Sequence, residues 1–107
     1  MSLQERLEGL LAEGKDGAPL RVSLALACMG HGNAAEAINH LKRAVALDSG
    51  YSAAWKTYGR ALAMEGKNVQ ARAAYQRGLE VARAAGDRQA EREMQVFLNR
   101  LEKQART

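Results

Sequence analysis

Residues 55–62 read Trp55-Lys56-Thr57-Tyr58-Gly59-Arg60-Ala61-Leu62, and their order of sizes decides the fold. On a helix, positions 55, 58, 59 and 62 share one face. Gly59 therefore opens a gap between bulky neighbours, through which a second helix can cross closely. The same order of sizes occurs 34 residues earlier, as Arg21, Leu24, Ala25 and Cys28. The register continues beyond this stretch. Ala27 falls on Ala61, Gly32 on Gly66, Ala37 on Ala71 and Arg43 on Arg77, while Leu41 matches Tyr75 and Ala44 matches Gly78. Residues 18–51 and 52–85 are thus two copies of one unit, and a period near 34 residues is that of a helix–turn–helix repeat.

Working outward, the apolar spacing and the cap residues predict six helices. The first covers about 3–13, with a Ser2/Glu5 capping box and a stripe of Leu3, Leu7, Leu10 and Leu11. The second covers about 19–30, with Pro19 in its first turn. The third covers about 34–48, opened by Asn33 and Glu36. The fourth covers about 52–65, with Ser52 as cap and Gly66 as stop. The fifth covers about 69–84, capped by Asn68. The sixth covers about 88–104, capped by Asp87, with a stripe of Ala90, Met94, Phe97, Leu98 and Leu101 and a fraying tail over 104–107.

The motif Trp55, Tyr58, Gly59, Leu62, Ala71, Tyr75, Gly78, with its weaker copy Leu24, Ala25, Ala37, Leu41, Ala44, resembles the tetratricopeptide repeat. Arg21 stands where the family carries an aromatic residue, and Ser49 and Arg83 where a proline is frequent. The resemblance implies an all-α fold of antiparallel hairpins stacked as a short right-handed superhelix, with Gly32 and Gly66 ending the first helix of each pair. Residues 1–17 would form an N-terminal capping helix and loop, and residues 86–107 a C-terminal capping helix, making 1–107 one domain. The implied function is non-catalytic binding of a protein or peptide in a groove lined by the first helix of each repeat. Structural self-association into a homo-oligomer, through a Met94/Phe97/Leu101 edge or the groove, is the alternative.

Composition is compatible with this. Of the 107 residues 47% are hydrophobic and 26% charged, and the net charge is +4. Residues 1–17 carry two positive and four negative groups, and no basic block of five or more occurs anywhere. Nothing here calls for nucleic acid. No apolar run approaches the ~18 residues of a membrane span, and the N-terminus is charged where a leader peptide is apolar. The expectation is a soluble, cytoplasmic chain with no membrane partner.

By position in the repeat, the groove residues would be Leu26, Met29, Lys56, Thr57, Arg60 and Met64. Lys56 and Arg60 lie four apart, on one helix face, and two cations there fit an acidic peptide segment. The plainer reading is a solvated pair. Leu26, Met29 and Met64 would form a soft apolar floor, or else be covered by a terminal helix. Cys28 is the lone cysteine, His31 lies three residues on, and His40 falls in the next helix. Three Cys or His residues fall short of four metal ligands, so Cys28 reads as a buried structural thiol. No metal, cofactor or catalytic constellation is expected.

Overall fold

The computed structural model describes residues 1–106; Thr107, the end of the expected fraying tail and terminal cap, lies outside them. Among the described residues there are six helices and no strand: α1 (Leu3–Ala12), α2 (Ala18–Gly30), α3 (Ala34–Leu47), α4 (Ser52–Met64), α5 (Asn68–Ala85) and α6 (Arg88–Ala105). None is long and apolar enough to cross a membrane.

The turn inside each repeat is built the same way. After α2, Gly32 takes φ 76°, and the next amide, Asn33 N–H, reaches back to the Cys28 carbonyl at 2.8 Å. After α4, Gly66 takes φ 73°, and Lys67 N–H reaches the Leu62 carbonyl at 2.9 Å. This left-handed closure satisfies carbonyls that the helix end leaves bare, and a side chain there would be strained. Starts differ more. Ser2 accepts from the Glu5 amide at 3.1 Å, Asn33 from Glu36 at 3.2 Å and Asp87 from Ala90 at 3.1 Å, as their spacing predicts.

Two expected caps are displaced. Tyr51 and Lys67 occupy the N-cap positions of α4 and α5, and neither caps with its side chain. Ser52 and Asn68 are instead the first helical residues. The Ser52 hydroxyl donates to Asp87 at 3.1 Å, tying the start of α4 to the start of α6.

Packing forms two layers. α2, α4 and α6 lie side by side; α3 packs on α2 and α4, and α5 on α4 and α6. The close approaches fall at the small positions. A Cβ on Gly59 would run into the Tyr75 ring, and one on Gly78 would meet Met94 and, at 2.9 Å, the Cβ of Trp55. Leu24, Leu41, Tyr75, Met94 and Cys28 fill the fully buried volume. Each such apolar side chain contributes roughly 1.5–3 kcal/mol by leaving water.

The first helix is less engaged than its stripe predicts. α1 packs on α2 alone and buries no residue fully; Leu3 and Leu10 stay exposed. α6, in contrast, buries Ala90, Met94, Leu98 and Leu101 and continues helical through Ala105, past the expected fraying point.

Candidate docking surface

The layer of α2, α4 and α6 is the face where the groove residues were expected, and their surroundings differ. Lys56 Nζ lies 3.0 Å from a Glu93 carboxylate on α6, both half-buried. That hydrogen bond, with the attraction of the same ammonium, holds Glu93 below the usual carboxylate range. Thr57 is 4% exposed, and its hydroxyl donates to the Ala53 carbonyl of its own helix at 2.8 Å. Met29 is half-buried against the core. Leu26 and Met64 are exposed at 46% and 54%, so no terminal helix covers them.

Arg60 is exposed and makes no hydrogen bond or ion pair among the described residues. Its charge acts on Tyr75, whose hydroxyl is nevertheless pushed up to about 12, chiefly by burial. The Tyr75 ring stacks on Phe97 of α6, with centroids 5.7 Å apart and planes 21° apart. The Arg100 guanidinium sits 5.8 Å from the centre of the Phe97 ring, a cation–π contact. Ala63, Asn68, Tyr75, Phe97, Arg100 and Leu101 are among the residues lining a hollow of about 180 Å3 here. Phe97 and Arg100 were absent from the expected site. The signal was present, since Phe97 lies on the α6 stripe, but nothing in the spacing said that its ring would reach Tyr75. Met94 and Leu101 of the expected self-association edge are buried, and only Phe97 of that trio is partly open.

A second polar region occupies the first repeat. Arg21 holds Asp16 through Nε at 2.8 Å and Nη2 at 3.1 Å, and its Nη1 lies 3.1 Å from His40 Nδ1. The Arg21 hydrogen bond draws the Asp16 carboxyl down to about 2. Burial, then the Arg21 charge, push His40 down. Burial, then the charges of Glu36 and Glu8, push the Cys28 thiol up. His31 is exposed at the end of α2, so the thiol's neighbours are His40 and Glu36.

A tetratricopeptide-repeat profile matches residues 29–91. The chain belongs to the tetratricopeptide-repeat family. It is 46% identical over 103 residues to the TPR repeat-containing protein PA0015 of Pseudomonas aeruginosa, covering 96% of this chain and 97% of that one. Its fold is similar to the solution structure of protein BPP2914 from Bordetella parapertussis, with a TM-score of 0.84 and 39% identity over 97% of this chain and 90% of that one. Tetratricopeptide-repeat proteins are generally non-catalytic interaction scaffolds.

Proposed function

We propose that this chain is a non-catalytic docking module whose α2/α4/α6 layer receives a peptide or helix carrying acidic and apolar side chains. The observation that carries this reading is the line Arg60, Tyr75, Phe97, Arg100. Among the described residues neither guanidinium has an acidic partner; Arg100 lies against Phe97 and lines the shallow hollow, and the Arg60 charge reaches Tyr75 of the stacked aromatic pair. A guanidinium binds a carboxylate by paired hydrogen bonds, and a partly open ring beside it adds apolar contact. Leu26 and Met64 extend the apolar surface along the same layer. Lys56 has a smaller part, because Glu93 already offsets its charge; it aligns α6 against α4.

The test is a display screen of acidic–aromatic peptides, followed by anisotropy titrations of the hits. Arg60→Glu combined with Arg100→Glu should weaken binding at least tenfold with the helical circular dichroism unchanged. Lys56→Glu should have a smaller effect on affinity. Hits whose affinity ignores the double reversal would end this assignment of the anchors.

A further inference from the structure

In the second repeat, Leu62, Gln70 and Ala74 line an open hollow of about 340 Å3 beside Trp55 and Tyr58. The residues one repeat earlier are Cys28, Glu36 and His40. At these matching positions the first repeat carries three side chains able to ligate a metal. A Cys28 sulfur, a Glu36 carboxylate oxygen and a ring nitrogen of His40 all lie within 4.8 Å of one another. They come from two helices, α2 and α3, that the core holds in fixed register. We propose that Cys28, Glu36 and His40 form a binding site for a divalent cation of the zinc class, with water completing the coordination.

The donor set selects the metal. One sulfur, one imidazole nitrogen and one carboxylate oxygen suit a borderline cation and disfavour calcium or magnesium, which take oxygen alone. Tetrahedral zinc, with bonds of about 2.0–2.3 Å, holds its donors roughly 3–4 Å apart. The three groups therefore need to close by on the order of 1 Å, which a long exposed side chain such as Glu36 allows. Asn33 holds Glu36 through Oε2 at 2.9 Å, leaving Oε1 for the ion. Glu8 of α1 lies near enough for its charge to act on both Cys28 and His40, and it adds to the attraction for a cation.

Arg21 is the opposing charge. It takes Nδ1 of His40, so Nε2 is the nitrogen left to ligate. Ligation there places the ring proton on Nδ1 and gives up that one contact. Arg21 keeps both of its bonds to Asp16, which neutralises most of its charge. Binding also takes the proton from the Cys28 thiol and releases it to solvent, so the affinity rises with pH.

The experiment titrates the reduced, chelator-stripped full chain with Co2+ and then Zn2+. A thiolate-to-cobalt charge-transfer band should appear in the near ultraviolet and be bleached by zinc. Cys28→Ser should abolish it, and Glu36→Gln and His40→Gln should each weaken cobalt binding at least tenfold. Zinc should raise the melting temperature of the wild type clearly more than that of His40→Gln at the same concentration. Should Cys28→Ser fail to fold, the other two variants, whose side chains reach the surface, carry the comparison. No band at millimolar cobalt overturns the proposal. So does a band unchanged in both Glu36→Gln and His40→Gln, since that means a thiol acting alone.

Discussion

The two repeats share a frame and fill it differently. At the first large position the second repeat has Trp55, whose indole N–H donates to the Ser49 carbonyl at 2.9 Å and whose Cβ rests over Gly78. The first repeat has Arg21 there, turned to Asp16 and His40. At the crossing, Gly59 lies under the Tyr75 ring, whereas the matching positions of the first repeat hold Ala25 and the smaller Leu41, both fully buried. The common part is the small residues and the glycine turns, which set how closely helices approach. Volume beyond that is negotiable: one repeat fills it with an aromatic cluster, the other with ion pairs and a thiol. Tolerance of polar groups in the first repeat follows from its edge position, where α1 covers it only in part.

If this contrast is sound, the aromatic filling carries more stability than the polar one. Trp55→Ala should destabilise by about 3 kcal/mol, since it removes a partly buried indole ring from the edge of the core together with its hydrogen bond to the Ser49 carbonyl. Arg21→Ala, the equivalent truncation, should cost clearly less, because much of what Arg21 binds is already partly in water. Urea melts of both variants decide it. Equal losses would mean that the ion pairs of the first repeat are as structural as the indole of the second.

The crossings sharpen the comparison. Gly59→Ala places a methyl group against the Tyr75 ring, and overpacking of this kind costs roughly 1–3 kcal/mol. Ala25→Gly, the reverse exchange at the matching position, should cost only about 1 kcal/mol, mostly from helix propensity. A stabilised Gly59→Ala would show that Tyr75 moves aside freely, and that the glycine does not set the approach of α5.

How much of this was legible in the sequence depends on what each feature needed. The six helices and the glycine turns were readable because each rests on local spacing: Gly32 and Gly66 announce the same left-handed stop in both copies. Ser52 and Asn68 were misread as caps because a cap-type side chain alone does not fix where a helix starts; the backbone takes its non-helical cap conformation one residue earlier, at Tyr51 and Lys67. Repeat position placed Arg60 and Met64 on the open layer. It could not foresee that Glu93 would meet Lys56, or that Phe97 would meet Tyr75, because the angle at which α6 docks is a tertiary quantity. The grouping of Cys28 with Glu36 and His40 was hidden for a similar reason. The nearest histidine in sequence, His31, lies at the exposed helix end, while the contact is made across two helices.

The smallest expected effect concerns the polar filling alone, and its sign can be worked out. Asp16 has a carboxyl drawn from its ordinary 3.8 down to about 2 in the folded chain, first of all by the Arg21 hydrogen bond. As the pH falls through about 4, the unfolded chain takes up this proton before the folded chain does. The unfolded state then binds more protons, so stability falls with falling pH. The contribution of Asp16 is complete above about 4 and lost progressively as the pH drops towards about 2. The second repeat has Trp55 at the position of Arg21 and makes its acid-sensitive pair elsewhere, between Lys56 and Glu93. Asp16→Asn should therefore flatten the decline of the melting temperature between pH 4 and 2, and Arg21→Met should flatten it to a similar degree. Each variant removes one side of the same pair, so their effects should not add in the double variant. Additive effects, or a wild-type slope retained in Asp16→Asn, would place the acid sensitivity elsewhere, with the Lys56–Glu93 pair as the first place to look.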